Sequence, residues 1–215
     1  MPSRNRRLVE FALRNGVARR VVDLIGTRRA EKLVEQLGPW LSREGRVLDV
    51  GIGSGHLAKA IRGNGQVVIG CDLTDMRFQP IPLVIADGQF LPFADESFGT
   101  TLMLTVLHHV PKERHSEMLR EAYRVLRPKG RLLMLEDTYH TRAERLVTQV
   151  LDSAMNAEFF GHPHSNRTLD DWMRLLAELG LKVVHAGEFI EWYGVAKIRH
   201  GLIVVEKGDP QAQAR

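Results

Sequence analysis

Residues 47–55, Val47-Leu48-Asp49-Val50-Gly51-Ile52-Gly53-Ser54-Gly55, decide the fold of this chain. A short apolar run carrying one acid passes straight into three alternating glycines, and His56 to Ile61 then restores a helical pattern. Strands buried on both faces of a parallel sheet read as short apolar runs, so Val47–Val50 predicts the first strand of an α/β sheet. The glycines allow a tight turn and the close approach of a ligand, and the helix beyond them offers its N-terminal N–H groups.

Downstream, the pattern of strand then helix repeats. Gly63-Asn64-Gly65 stops the first helix. Gln66–Cys71 predicts a second strand ending at Asp72, and Pro82–Ala86 a third ending at Asp87. Only about nine residues join Asp72 to Pro82, fewer than the roughly 10–12 of a crossover that includes a helix, so an abbreviated link is expected. Thr100–Leu107 predicts a fourth strand ending at His108-His109, and Arg131–Leu135 a fifth ending at Glu136-Asp137. Helices are expected over 111–126, 141–160 and 168–180, the last with Thr168 as N-cap and Asp171 completing a variant of the capping box. Leu181–Ala186 and Ile198–Val205 supply two final strands. Strands alternating with helices make an α/β, Rossmann-like, doubly wound sheet with helices on both faces.

Upstream, Val9, Leu13, Val17, Val21 and Leu24 mark one face of an amphipathic helix over 6–25, and a second helix is expected over 27–42. Residues 1–30 hold eight arginines against Glu10 and Asp23, a net +6. The rest of the chain carries 22 bases and 24 acids, a net −2, so the overall +4 belongs to the N-terminal segment. Such a segment suits a solvated helix, a cap over a ligand, or peripheral contact with an anionic membrane. The slightly acidic remainder argues against a nucleic-acid partner. At 215 residues with 44% hydrophobic content, the chain is ordinary globular material. Its single cysteine, Cys71, excludes an internal disulfide and suits a reducing, cytoplasmic setting.

In a doubly wound sheet, ligands sit beyond the carboxyl ends of the strands. Those ends carry Gly51, Gly53, Gly55, Asp72, Asp87, His108, Glu136 and Asp137. Asp72 stands where an acid can accept hydrogen bonds from both hydroxyls of a ribose, which implies a ligand containing a nucleoside. Gly53 to Ala58 also matches the dinucleotide pattern G-x-G-x-x-A, leaving an NAD(P)-linked oxidoreductase open. Asp49 argues against that reading. An acid at the mouth of the loop repels a pyrophosphate and serves a cationic ligand instead.

Beside the Leu48–Gly55 loop stand Gly70-Cys71-Asp72-Leu73-Thr74 and Ala86-Asp87-Gly88-Gln89-Phe90-Leu91-Pro92-Phe93. Asp95-Glu96-Ser97-Phe98, Leu107-His108-His109-Val110 and Arg124-Val125-Leu126-Arg127-Pro128-Lys129-Gly130 follow in order. Over residues 46–137 this set resembles the class I S-adenosylmethionine-dependent methyltransferases, in the small-molecule branch (methyltransferase type 11) that includes the ubiquinone/menaquinone-type enzymes. Gly99 and Lys129 depart from the family pattern without touching the expected cofactor contacts. The resemblance implies a seven-stranded sheet, mostly parallel with an antiparallel last strand. It places Asp49, Gly51, Gly53 and Gly55 around the methionine moiety, Asp72 on the ribose and Leu73 beside the adenine. Asp87, with Gly88 and Gln89, would meet the adenine amino group, and Leu107 and His108 would lie near the transferring methyl.

S-adenosyl-L-methionine is therefore the expected cofactor, with S-adenosyl-L-homocysteine as product and a small, apolar or lipid-like molecule as acceptor. A non-catalytic S-adenosylmethionine-binding protein is the alternative. If the acceptor must lose a proton, His108, His140 and Asp137 are the catalytic candidates, with His109, Glu136 and Tyr139 nearby. His140, His162 and His164 lack ligand spacing, and no metal is expected. The expected organisation is a helical cap over 1–45 and a cofactor-binding domain over 46–206. A substrate lid at 138–167 would include Asn156, Phe159 and Phe160, and 207–215 would form a disordered tail. Residues 5–25 and 138–167 are expected to wall the acceptor cleft.

Overall fold

A computed structural model describes residues 15–155, 164–193 and 196–209. Seven strands form one sheet: β1 Arg46–Val50, β2 Val68–Asp72, β3 Leu83–Ile85, β4 Phe98–Leu104, β5 Leu126–Thr138, β6 Val183–Tyr193 and β7 Ala196–Glu206. Their spatial order is β3-β2-β1-β4-β5-β7-β6. The pairs among β1 to β5 are parallel, whereas β7 runs antiparallel to both β5 and β6. The direction of the chain out of the sheet thus reverses at β1, between β2 and β4. A doubly wound sheet opens its ligand crevice at that point.

Alternation along β5 shows how the sheet is covered. Leu132 and Met134 join one core with Met118, Leu119, Trp172 and Leu176, from helices α3 His115–Arg124 and α5 Leu169–Glu178. Leu133 and Leu135 join the other, with Leu37, Ala58 and Ile61 from α1 Gly16–Leu37 and α2 His56–Gly63. Helix α4 Arg142–Met155 follows β5. Period-2 alternation carries the same two faces to the rim, so Glu136 belongs to the α3 side and Asp137 to the α1 side.

Two local expectations are revised. Gly26 does not break the N-terminal helix: α1 is continuous from Gly16 to Leu37. A Cβ at Gly26 would stand 2.7 Å from the His56 ring, so this glycine lets the two helices meet. The expected turn at Pro128-Lys129-Gly130 lies within β5 as a break in register, with Lys129 at φ 63°. Thr168 forms both bonds of its capping box with Asp171, and no helix joins β2 to β3. Residues 6–14, Asn156, Phe159, Phe160 and His162 lie outside the described residues.

Candidate active site

The glycine loop is fixed from below and from the side before any ligand arrives. Gly51 N donates to the Cys71 carbonyl at 2.7 Å, and Ile52 inserts into the α1-side core, over Gly70. Gly51 has φ 77°, and a Cβ there would stand 2.4 Å from a Val106 methyl, so only glycine fits both the backbone and the gap. Asp72 Oδ2 accepts from Gly53 N at 3.1 Å, and its Oδ1 accepts from Thr74 N at 3.3 Å. Asp87 accepts from the Gln89 amide and side chain, and Gly88 lies against Met118 and Val50. Leu73 and Phe90, which follow these acids, are exposed apolar side chains at the same rim.

Asp49 lies beneath this loop, 4% exposed. Burial, and then the nearby Asp72 carboxylate, pushes its pKa up to about 7. A buried acid raised by lost solvation and by a like charge is relieved by a cation. The rim therefore offers carboxylate acceptors at Asp72 and Asp87 and, in Asp49, a buried acid that a positive centre would relieve. Cys71 is buried below the rim and its thiol is pushed up to about 11, chiefly by burial, which removes it as a nucleophile.

The N-terminal helix reaches the loop through one acid. Asp23 Oδ1 contacts His56 Nε2 at 3.0 Å and accepts from Gln79 Nε2 at 3.0 Å, while His56 Nδ1 meets Ser54 Oγ at 2.9 Å. Phe78 N donates to the Ser54 carbonyl at 2.9 Å. The short β2–β3 link and α1 thus clasp the loop from the same side. An open cleft of about 660 Å³ lies among Arg19, Arg62, Arg77 and Phe78 there. Asp23, His56 and Gln79 are site-supporting residues that sequence reasoning missed. The signal was there: Asp23 is one of only two acids among the first thirty residues.

The β4 exit is organised by Glu136. Its Oε1 accepts from Val106 N at 2.9 Å and Leu107 N at 2.8 Å; its Oε2 meets His108 N at 3.3 Å and His108 Nδ1 at 2.8 Å. The turn begins at Thr105, a β-branched residue at φ 54°. Such backbone is costly and persists where its surroundings over-determine it. Leu107 is fully buried beneath the turn.

The three catalytic candidates lie in three separate partner sets. His108 is 2% exposed, between Glu136 and Asp152 of α4, whose Oδ1 is 3.5 Å from His108 Nε2. Burial opposes a charged ring, but Asp152 and Glu136 outweigh it and push His108 up to about 10. That pairing favours the protonated ring and works against a role as a general base. Asp137 is on the opposite face, ion-paired at 2.8 Å with His200, whose other nitrogen stands 3.4 Å from Glu191. Against the cost of burial, these acids raise the His200 pKa. His140 is exposed and meets Glu188 Oε2 at 2.6 Å. The 138–167 segment reaches the β4 exit through Asp152 and through Ser165, whose N donates to the His108 carbonyl at 2.9 Å.

Residues 18–186 match a family model described as a methyltransferase domain. The methyltransferase GfsG of Streptomyces halstedii is 26% identical over 180 residues, covering 77% of this chain and 62% of that protein. A demethylmenaquinone methyltransferase of Tropheryma whipplei is 29% identical over 144 residues, 59% of each chain. The chain thus spans about three fifths of the length of these curated relatives. Among solved structures, an S-adenosylmethionine-dependent methyltransferase from Archaeoglobus fulgidus superposes with TM-score 0.66 at 15% identity, covering 84% of this chain and 94% of that one. The 1,6-didemethyltoxoflavin-N1-methyltransferase of Burkholderia thailandensis, holding S-adenosylhomocysteine, gives 0.63 at 18% identity, over 86% and 79%. At these identities the likeness is one of fold.

Proposed function

We propose that this chain, which belongs to the methyltransferase-domain family, transfers the methyl group of S-adenosylmethionine to a small, apolar acceptor. One observation carries the reading: the buried Asp49 beneath a glycine loop that Asp72 and Asp87 flank at neighbouring strand ends. When bound, the sulfonium supplies an already activated methyl. The protein's share is then alignment and the exclusion of water.

In this reading Gly51, Gly53 and Gly55 let the methionine moiety approach the backbone, with Asp49 the counter-charge. Asp72 takes the ribose hydroxyls, Leu73 flanks the adenine, and Asp87 with Gly88 and Gln89 meets its amino edge. Glu136 holds Leu107 and His108 in the turn against which Gly51 packs, so both belong to the positioning of the methyl. His108, held by Glu136 and beside Asp152, is a positioning residue, whereas Asp137 is committed to His200 on the opposite face. His140 is the exposed candidate of the three and the one an acceptor that must lose a proton can reach from solvent.

The names of relatives, among them demethylmenaquinone and 27-O-demethylrifamycin SV methyltransferases, support a small acceptor of that kind. Apolar side chains are also exposed on α1, at Val17, Val21, Leu24 and Ile25, beside Arg19, Arg20 and Arg28. That surface suits α1 as a cap that touches an anionic membrane where an apolar acceptor dissolves. Among the described residues no helix is long and apolar enough to cross one. Cys71, free and buried, accords with a reducing cytoplasm.

Calorimetric titration of the full chain with S-adenosylmethionine and, separately, with NAD(P) tests the cofactor. Incubation with S-adenosylmethionine and a panel of hydroquinone and polyketide acceptors, read as S-adenosylhomocysteine formed, tests the transfer. Saturable NAD(P) binding without S-adenosylmethionine binding would overturn the reading.

A further inference from the structure

The packing of α4 against the β4 exit brings together side chains that are far apart in sequence. His108 Nε2 lies 3.5 Å and His109 Nε2 3.8 Å from Asp152 Oδ1, and the His164 Nδ1 lies 3.5 Å from Asp152 Oδ2. One ligand atom each from His108, His109 and Asp152 falls within 4.8 Å of the others. All three imidazole–carboxylate separations exceed the 2.7–3.2 Å of a good N–H···O hydrogen bond. They are close to the spacing of two ligands on one ion: bonds of about 2.0–2.1 Å in a tetrahedron leave ligand atoms roughly 3.3–3.4 Å apart.

A second observation points to the same place. His108 Nε2 is buried and has no hydrogen-bond partner, although the ring is 2% exposed. Its other nitrogen is held by Glu136 Oε2 at 2.8 Å. A carboxylate on the far nitrogen of a histidine fixes the tautomer that aims a lone pair at a metal, and raises the basicity of that ligand. His109, stacked at a tilt with its ring centroid 4.0 Å from that of His108, presents its own Nε2 to the same carboxylate.

We propose that His108, His109 and Asp152 form a binding site for a divalent first-row transition ion, with His164 at the second oxygen of Asp152. Two imidazoles and a carboxylate are a donor set that zinc accepts, and three protein ligands leave an open position. Binding at Nε2 leaves that nitrogen without a proton, while Nδ1 faces Glu136. The site stands on its own ligand geometry. Its use, offering the open position to an oxygen or nitrogen of the acceptor, rests on the methyl-transfer reading, because that reading puts the methyl at the β4 exit.

The full chain, stripped with a chelator and checked for folding by thermal melting, is titrated with Zn²⁺ by calorimetry and with Co²⁺ by visible absorption. One ion per chain is expected, with d–d bands of four- or five-coordinate cobalt. Asp152→Asn and His109→Gln should each weaken binding at least about tenfold, the lower end of what even an outer-shell loss costs. His185→Gln, whose ring stacks on Trp40 instead, should leave it unchanged. No stoichiometric binding by the folded wild type, or equal binding by wild type and His109→Gln, would overturn the site. If Asp152→Asn does not fold, His109→Gln and the cobalt spectrum decide alone. Titration with S-adenosylmethionine in parallel separates the two readings: a folded chain that binds the ion but no S-adenosylmethionine keeps the metal site and loses the proposed function.

Discussion

Asp72 accepts the amide hydrogen of Gly53 at 3.1 Å, so the acid at the end of β2 holds the loop at the end of β1. If the same carboxylate also takes the ribose, its removal costs binding twice. Hydrogen bonds to charged groups contribute about 1.5–3 kcal/mol each. Asp72→Ala should therefore weaken S-adenosylmethionine at least about tenfold by calorimetry, since 1.4 kcal/mol is tenfold. S-adenosylhomocysteine, which has the same ribose, should lose as much. Affinity within twofold of wild type for both would place the nucleoside elsewhere.

Asp49 makes the opposite distinction, between the two ligands. Its pKa is pushed up to about 7, first by burial and then by Asp72. A carboxyl raised in the folded chain favours the fold most below its unfolded value near 4, and that contribution is lost as the pH rises through about 7. Asp49→Asn should thus gain stability over wild type between about pH 4 and 8, read as a growing difference in Tm. Binding of the sulfonium runs the other way, because it needs the ionised acid. Wild-type affinity for S-adenosylmethionine should rise up to about tenfold from pH 6 to pH 8, while that for the neutral sulfide S-adenosylhomocysteine changes less. Parallel pH profiles for the two ligands would show that Asp49 does not face the positive centre.

What could be read from the sequence was whatever local spacing encodes. Gly51 and Asp72 stand at the ends of β1 and β2 as the apolar runs imply, and Asp87 follows β3 closely; β4 stops earlier than expected, at Leu104, leaving His108 in the turn beyond it, and β5 runs on to Thr138, so Glu136 lies inside the strand. The Thr168 cap was visible because both partners lie within one turn. Other features depend on contacts between distant segments. Gly26 reads as a helix break until the His56 ring explains it. Asp152 reads as one acid on an amphipathic helix, and nothing in its neighbourhood names His108 and His109 as its partners. Strand alternation does separate Glu136 from Asp137, but their different partners, His108 and His200, come from other strands and loops.

The contact between Gly26 and His56 reverses an ordinary expectation. In a helix interior Gly→Ala is usually stabilising by roughly 0.5–1 kcal/mol. At Gly26 the new methyl would sit 2.7 Å from the imidazole that also meets Ser54 and Asp23. Gly26→Ala should lower Tm and also weaken S-adenosylmethionine, since the displaced ring is hydrogen-bonded to the loop. Gly63, the last residue of α2, has nothing within 4 Å of where a Cβ would stand and is the control, with Tm unchanged or raised. Equal gains at both positions would mean that α1 is not seated on α2 as described.

Glu136 bears the largest single burden at the β4 exit. It is 2% exposed and satisfies the Val106 and Leu107 amides and the His108 ring. A glutamine in its place would turn an NH₂ group toward those donors and leave the charged His108 with Asp152 alone. Removing one partner of a buried ion pair costs about 3–5 kcal/mol. Each kcal/mol lowers the melting temperature of a domain this size by about 2–4 °C. Glu136→Gln should therefore show a clear loss in urea denaturation and a Tm at least about 6 °C below wild type. His140→Gln, which changes an exposed ring on Glu188, should cost less than about 1 kcal/mol. If Glu136→Gln costs no more than His140→Gln, the turn at Val106–His108 is held by something other than Glu136, and its part in positioning the methyl falls with it.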